Sequence, residues 1–191
     1  MAATTHDPSN VKQMPLADHE PPMLDNAAIE RVRHQRGSDA ATAGESLWRK
    51  GLVKLLNDSL ATELVCVLRY KRHHYTAHGL ASPQIAAEFA VHAAEEMGHA
   101  DRLARRIVQL GGKPDFTPDT LSQRSHAAYD DAGALTAMIQ ANLDAERVAI
   151  EGYSQLVRLV GDRDPTTRRL LEDILADEQQ HADELRGWLT D

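Results

Sequence analysis

Two segments with the same pattern determine the fold of this chain: EMGH at residues 96–99 and EQQH at residues 178–181. Each has a glutamate three residues before a histidine, and each follows a lone glutamate, Glu63 in the first half and Glu146 in the second. Residues i and i+3 are neighbours on one face of an α-helix, so each pair can direct both side chains to one point. Four carboxylates and two imidazoles that face one another inside a four-helix bundle form a di-iron or di-manganese site. The pattern therefore predicts an all-α fold with a two-metal centre.

The spacing of the two motifs supports an internal repeat. The lone glutamate precedes the glutamate of the motif by 33 residues in the first half and by 32 in the second. Half of that distance is roughly 25 Å of helix, so two antiparallel helices joined at their ends bring the two glutamates level. Tyr70 and Tyr153 each follow the lone glutamate of their half by seven residues, which is two helical turns. Each tyrosine is therefore expected on the same helix face as its glutamate.

Hydrophobic periodicity and helix-end residues predict four long helices, over about 45–78, 82–110, 132–160 and 165–188. Gly79 and the pair at 111–112 are expected to end the first two, while Ser82 and Asp164 precede prolines as helix caps. Short links join helices one to two and three to four, and a polar connector, 113–131, joins two to three. This connectivity predicts a ferritin-like up-down-down-up four-helix bundle with one long crossover between helices two and three.

Composition limits the function classes. The chain has 191 residues, a hydrophobic fraction of 42% and only 4% aromatics, which favours helix packing over a sandwich or barrel. The net charge of −8 argues against nucleic-acid binding. No apolar run is long enough for a membrane span, and the first residues do not resemble a secretory signal. The single cysteine, Cys66, suits a reducing cytoplasm, so we expect a cytoplasmic location with no membrane partner.

Residues 1–44 differ from the rest of the chain. They contain four prolines and little hydrophobic periodicity, with a possible short helix over 26–36. Four basic residues against six acidic ones, or seven with the adjacent Glu45, make this stretch unsuited to gripping DNA. We therefore predict a flexible N-terminal extension over 1–44 and a four-helix bundle over 45–191.

The chain resembles bacterioferritin. The resemblance rests on residues 55–70 and on the fairly specific segment EMGHADR at residues 96–102, and it covers roughly residues 47–189. It implies a ferroxidase that oxidises Fe(II) with O2 or H2O2 and stores the product as a ferric mineral in a hollow protein shell. Two iron ions per subunit would be held by Glu63, Glu96, His99, Glu146, Glu178 and His181. Within that set, Glu96 and Glu178 would bridge the ions, and Tyr70 matches a family tyrosine beside the centre with a catalytic redox role.

Two further expectations follow from the resemblance. In bacterioferritins the methionine at the position of Met97 ligates haem b across a two-fold subunit interface, and a residue adjacent to Glu96 points away from the metal face. Haem is therefore a candidate second cofactor. Typical members also continue well past the last histidine into a fifth helix, whereas ten residues follow His181 here. We therefore expect a homo-oligomeric shell of 12 subunits in place of 24.

Alternatives exist for several of these residues. The glutamates could be solvated charges on helix faces, although doubled spacing of six ligand residues disfavours this, and the tyrosines could serve packing alone. His92, seven residues before His99, could be an accessory ligand or an ordinary polar residue, and Glu95 replaces an aspartate of an inner iron site in the family. At the level of function, the alternatives are a non-storing di-metal oxidase or peroxidase, a manganese catalase-like enzyme, and a DNA-protecting mini-ferritin.

Overall fold

Four long helices make up most of the described chain, which comprises residues 24–27, 29–30, 43–79 and 82–190 of a computed structural model. They are α1 (Ala43–Thr76), α2 (Ser82–Gln109), α3 (Leu135–Val160) and α4 (Pro165–Thr190). No strand occurs in these described ranges. The predicted all-α fold is confirmed, and the predicted helix bounds differ from the observed ones by at most three residues.

Two apolar clusters show the direction in which each helix runs. The first cluster includes Leu52, Leu56, Leu60, Leu103, Ile107, Leu156, Val160, Leu171 and Ile174. The second includes Tyr70, Ile85, Phe89, Met138, Ile139, Leu143 and Leu185. Along the chain α1 and α4 pass from the first cluster to the second, while α2 and α3 pass from the second to the first. The order is therefore up-down-down-up, and α1 packs mainly on α2 while α3 packs mainly on α4.

These clusters enclose the polar middle of the bundle. Each fully buried leucine in them contributes about 1.5–3 kcal/mol relative to an exposed one. On all four helices the predicted metal ligands lie between the residues of the first cluster and those of the second. The apolar ends of the bundle thus supply the stability that offsets the burial of a charged centre.

The helix ends follow from local chemistry, with one departure from the prediction. Gly111 and Gly161 adopt positive φ angles of 79° and 49° just after α2 and α3, a conformation that favours glycine. Asp164 caps α4 as predicted, because its Oδ1 accepts the backbone N–H of Thr167 at 3.0 Å. The prediction that the Ser82 side chain caps α2 is wrong. Its hydroxyl instead donates to the Gly79 carbonyl at 2.7 Å.

The crossover between α2 and α3 contains structure that the polar sequence did not predict. It includes a 3-10 turn, Pro118–Thr120, and a short helix, Leu121–Arg124. Arg69, which is fully buried on α1, donates to the Ala128 carbonyl at 3.1 Å and to Asn142 Oδ1 of α3 at 2.8 Å. A buried guanidinium therefore links the crossover to two helices.

The chain divides into two units, residues 1–40 and residues 41–191. Within the first unit the described residues 26–27 and 29–30 are helical, and the rest of the predicted 26–36 helix lies outside the described residues. Most of the predicted extension, 1–44, lies outside them too, so its boundary remains a prediction. None of the helices in the described ranges has the length and apolar character needed to cross a membrane.

Candidate metal centre

All four helices contribute to one buried cluster of carboxylates and imidazoles. The contributions are Glu63 from α1, Glu96 and His99 from α2, Glu146 from α3, and Glu178 and His181 from α4. Each of these six side chains belongs to a residue that is at most 3% exposed. The structure therefore brings together every metal ligand that the repeat predicted, although their role as ligands remains a prediction.

Two overlapping groups of four residues divide the cluster. One consists of Glu63, Glu96, His99 and Glu178, and the other of Glu96, Glu146, Glu178 and His181, with ligand atoms within 4.8 Å of one another in each group. Glu96 and Glu178 belong to both groups, which is the arrangement expected of bridging carboxylates.

The histidines direct their Nδ1 atoms into the cluster. His99 Nδ1 lies 3.4 Å from Glu63 Oε2, 3.2 Å from Glu96 Oε2 and 3.1 Å from Glu178 Oε1. His181 Nδ1 lies 3.7 Å from Glu96 Oε1 and 3.4 Å from Glu178 Oε2. One imidazole nitrogen and several carboxylate oxygens per group make a mixed N/O ligand set, which suits iron and manganese.

Unpaired polar atoms test whether this cluster fits metal ions. Buried atoms without a hydrogen-bond partner include Glu63 Oε2, Glu96 Oε1, Glu146 Oε2, both carboxylate oxygens of Glu178, and His181 Nδ1. Burying an unpaired ionised group costs several kcal/mol, so such atoms in one place need compensation. Two divalent cations between the two groups would satisfy these atoms together, and the residues therefore fit a two-metal centre.

Crowding of the carboxylates alters their acidity in the metal-free protein. Burial, followed by the charge of Glu96, raises the pKa of Glu63 to about 8. Burial and the charges of Glu96 and Glu178 also raise the pKa of Glu146. Although burial lowers it, the nearby carboxylates of Glu178 and Glu96 raise the pKa of His181 to about 11. Protons thus occupy the cluster when metal does not, and metal binding must displace them.

The outer nitrogen of each ligand histidine faces a further carboxylate. His99 Nε2 lies 3.2 Å from Asp177 Oδ2, and His181 Nε2 lies 2.9 Å from Glu95 Oε2. Such carboxylates fix the tautomer and orientation of a metal-binding histidine. Sequence reasoning missed this role for both, yet the sequence carried a sign of it, since each acid immediately precedes the glutamate of a repeated motif.

The two tyrosines bind glutamates across the bundle. The Tyr70 hydroxyl of α1 donates to Glu146 of α3, and the Tyr153 hydroxyl of α3 donates to Glu63 of α1. Each tyrosine therefore contacts the lone glutamate of the other half. Burial, followed by the charge of Glu146, raises the pKa of Tyr70 well above its usual value, so its phenol stays protonated at neutral pH. A redox role for Tyr70 remains a prediction.

His92 and Met97 occupy different surroundings on α2. His92 is fully buried, and its ring stacks on that of His181 with centroids 4.2 Å apart. Its Nδ1 lies 3.1 Å from the Tyr70 hydroxyl. Met97 is 38% exposed, as expected for a residue that points away from the centre. A surface methionine is compatible with a haem ligand shared between two subunits, which remains a prediction.

A cavity of about 210 Å³ opens directly over the centre between α2 and α4. It is lined by Glu95, Gly98, His99, Arg102, Asp177, Gln180 and His181. The two carboxylates that face His99 and His181 thus also line this cavity. A larger groove of about 570 Å³ beside α3 contains none of the six predicted ligands.

Comparison with known proteins agrees with this geometry. The sequence profile of the ferritin-like domain matches residues 53–191. The chain belongs to the ferritin-like family. A bacterioferritin from Desulfovibrio desulfuricans is 30% identical over 131 residues, which cover 68% of this chain and 69% of the relative. A nutrient stress-induced DNA-binding protein from Synechococcus is 30% identical over 132 residues, 66% of this chain and 74% of the relative.

A solved structure extends the comparison to three dimensions. The bacterioferritin-related protein from Bacteroides fragilis, described as a dodecameric thioferritin, superposes with a TM-score of 0.73 at 30% identity, over 75% of this chain and 86% of that one. The predicted resemblance to bacterioferritin and the predicted ferritin-like fold are both confirmed.

Proposed function

We propose that this chain is a ferroxidase that oxidises Fe(II) at a centre of two iron ions within one subunit. The ions would be held by Glu63, Glu96, His99, Glu146, Glu178 and His181. The observation that carries the proposal is the set of buried carboxylate oxygens and the imidazole nitrogen that have no hydrogen-bond partner and lie in this one cluster. Glu96 and Glu178 would bridge the ions because their oxygens take part in both groups.

The chemistry of the bound metal is simple in outline. Two Fe(II) ions held by these residues would supply one electron each, and with two protons from solvent the pair of electrons would reduce O2 to H2O2 or H2O2 to two water molecules. The chain itself holds the ligands in place. Tyr70 and Tyr153 orient Glu146 and Glu63 by hydrogen bonds, and the apolar clusters on either side keep bulk water from the bundle interior.

The proposal extends to assembly. We propose a closed shell of twelve subunits in which oxidised iron is stored or rendered harmless, because the similar Bacteroides fragilis protein is described as dodecameric. Haem b shared between two subunits through Met97 is part of the same proposal, and its support is the exposed position of that side chain on α2. Reconstitution with haem followed by Met97→Ala tests it: a Soret band that Met97→Ala removes supports the ligand, and no band in the wild type contradicts it.

Addition of Fe(II) and then of an oxidant to the metal-free assembly tests the main proposal. The protein is given Fe(II) without oxygen, then O2 or H2O2, while ferric absorbance is followed. We expect rapid oxidation in the wild type, and a particle mass of about 250 kDa by light scattering for twelve chains of 21.1 kDa. Oxidation no faster than in protein-free buffer would contradict the ferroxidase.

The particle mass also separates the storage function from the alternatives on the same bundle. A monomer or dimer that oxidises iron without retaining it would be a non-storing di-metal oxidase or peroxidase. A manganese catalase-like enzyme would instead disproportionate H2O2 with manganese bound and without consuming Fe(II).

A DNA-protecting role is a second candidate, because one relative of equal identity is named as a DNA-binding protein. The net charge of −8 opposes it, since binding to DNA relies on cationic side chains against the phosphates. Tight binding to duplex DNA in a gel-shift assay at physiological salt would support the DNA-protecting role. The absence of a shift would contradict that role and leave iron handling as the proposed function.

A further inference from the structure

A second set of metal-binding residue types lies beside the centre, on the same two helices. Glu88 and His92 are one turn apart on α2, and Glu184 faces them from α4. Their ligand atoms lie within 4.8 Å of one another. His92 Nε2 is 2.9 Å from Glu184 Oε2 and 3.8 Å from Glu88 Oε1. None of these three residues belongs to the six-residue cluster.

The hydrogen bonds around His92 determine which of its nitrogens can bind a cation. This step rests on the proposed function: while Glu146 is ionised, as a metal ligand must be, the Tyr70 hydroxyl donates its only proton to Glu146, and the Tyr70 oxygen can only accept from its other neighbour. His92 Nδ1, 3.1 Å from that oxygen, must therefore carry a hydrogen. In the neutral imidazole this leaves a lone pair on Nε2, and this lone pair is directed at two carboxylates.

A lone pair that faces negative charge in a buried position is unfavourable unless a cation lies between them. The Glu184 carboxylate is oriented for such a cation, because its Oε1 accepts from Gln180 at 2.9 Å while its Oε2 faces His92. A metal-binding histidine ordinarily donates its other N–H to a neighbouring acceptor, and Tyr70 supplies that acceptor here. The two glutamates are about one-third exposed, so an ion can reach them from solvent.

We propose that Glu88, His92 and Glu184 form a third divalent-metal site, separate from the six-ligand centre, for one first-row transition-metal ion. Two carboxylates and one imidazole are ligands that Fe(II), Mn(II), Co(II) and Zn(II) share. Donor atoms on one such ion lie about 2.0–2.2 Å from it and hence up to about 4 Å apart, which the distances from His92 Nε2 to both glutamates satisfy. The ion replaces the contact between His92 and Glu184 and holds the His92 N–H toward Tyr70.

Cobalt(II) is a suitable probe because O2 does not oxidise it readily at carboxylate sites. The full assembly is loaded with Co(II), separated from free metal by gel filtration, and its cobalt is counted by plasma mass spectrometry. We expect three ions per chain in the wild type and two in Glu88→Gln/Glu184→Gln. Asp183→Asn is the matched control, since it removes an exposed carboxylate next to Glu184 that pairs with Arg186, and three ions are expected in it.

Anomalous diffraction from cobalt-loaded wild-type crystals locates the third ion without any substitution. A peak about 2.0–2.2 Å from His92 Nε2 is expected. No peak there, or three ions retained by Glu88→Gln/Glu184→Gln with wild-type assembly mass and helix content, would overturn the proposal. In Glu63→Gln/Glu146→Gln the peak at His92 should persist while the centre loses cobalt. In the wild type, a filled centre without the peak at His92 contradicts the third site alone. The peak at His92 beside an empty centre in the wild type contradicts the proposed ferroxidase alone.

Discussion

Glu63 and Glu146 occupy equivalent positions in the two halves of the centre, yet the hydrogen-bond chains that begin at them differ. Glu63 accepts from Tyr153, which has no other hydrogen-bond partner among the described residues. Glu146 accepts from Tyr70, which continues to His92 and then to Glu184 at the protein surface. The repeat thus makes the ligands symmetric, while the surroundings differ between the halves.

The difference has its origin in packing. Tyr153 lies within the first apolar cluster, where its neighbours include Leu60 and Ile174. Tyr70 lies in the second cluster, and the edge of the buried His92 ring packs against it with centroids 5.2 Å apart. An apolar setting limits Tyr153 to positioning its glutamate. A polar neighbour gives Tyr70 a second contact, which is why the two tyrosines are expected to behave differently.

Removal of a ligand that both groups share should weaken metal binding in both halves of the centre at once. This change has the largest expected effect. Glu178→Gln weakens the contact to both ions, so the initial rate of Fe(II) oxidation should fall by more than about 100-fold, beyond the loss typical of residues that only support a ligand. Stopped-flow absorbance after O2 addition measures the rate. Glu151→Gln, an exposed carboxylate on α3, is the control and should keep the wild-type rate. A rate in Glu178→Gln within threefold of that control, roughly 0.6 kcal/mol in the barrier, would rule out a shared ligand.

Changes to the outer carboxylates should distinguish one half from the other. Asp177→Asn acts on His99 and Glu95→Gln acts on His181, and each should lower affinity for one of the two Co(II) ions of the six-residue centre by about 10–100-fold. Titration calorimetry of the metal-free assembly resolves the two ions if only one weakens. Equal weakening of both ions by either variant would mean that the halves do not bind independently.

Much of the fold, and the meeting of the six predicted ligand residues in one cluster, could be predicted because both depend on local spacing. The Glu-x-x-His motifs define helix faces, and Asp164 with Pro165 marks a helix start, so these follow from periodicity. The partners of Arg69 could not be predicted, since Asn142 and the Ala128 carbonyl are 73 and 59 residues away in sequence. The hydrogen bond from the Ser82 hydroxyl to the Gly79 carbonyl was not predicted either, because composition does not specify which acceptor a serine hydroxyl finds.

The short helix in the crossover was missed for a related reason. Residues 121–124 lack apolar periodicity and read as polar connector in the sequence. Contacts with α1 hold the segment in place: Arg124 donates to the Asn57 carbonyl at 3.1 Å, and the His126 N–H donates to Thr62 Oγ1 at 3.0 Å. Tertiary hydrogen bonds, which no local pattern reveals, decide the conformation there.

The protonation of the centre predicts that the stability of the metal-free protein depends on pH. Glu63 has a folded-state pKa of about 8 against an ordinary 4.5, so the metal-free folded protein binds more protons than the unfolded chain between these values. The stability that this extra proton supplies is complete below pH 4.5 and is lost as the pH rises through about 8. The lowered pKa of Glu96 acts only below 4.5 and does not oppose this.

Metal should reverse that trend. Because a bound cation displaces the proton, Co(II) affinity should rise roughly tenfold per pH unit for each proton released, up to about pH 8. Thermal melts of the metal-free and cobalt-loaded protein at about pH 6 and 8 measure both effects. We expect the metal-free melting temperature to fall with pH and the gain from cobalt to grow. A cobalt effect independent of pH would contradict a protonated Glu63.

The smallest expected effect tests the comparison of the tyrosines most directly. Tyr70→Phe and Tyr153→Phe each remove one hydroxyl that donates to a buried glutamate, so each should lower the free energy of unfolding by about 1 kcal/mol. Denaturant unfolding of the metal-free protein measures this. Stability should separate the two variants only weakly, because Tyr70→Phe removes just one further contact, the one between the Tyr70 oxygen and His92 Nδ1.

Iron oxidation should separate them. If the contact with His92 matters, Tyr70→Phe should remove a tyrosyl radical signal that appears in electron paramagnetic resonance after O2 is added to the iron-loaded wild type, whereas Tyr153→Phe should keep it. The reason is that each phenol can pass its proton to its own glutamate, whereas only the Tyr70 oxygen has a second hydrogen bond, from His92, that can stabilise the radical left behind. Loss of the signal in Tyr153→Phe with retention in Tyr70→Phe would reverse the assignment. Equal signals in both variants would show that the asymmetry around Glu63 and Glu146 has no part in electron transfer.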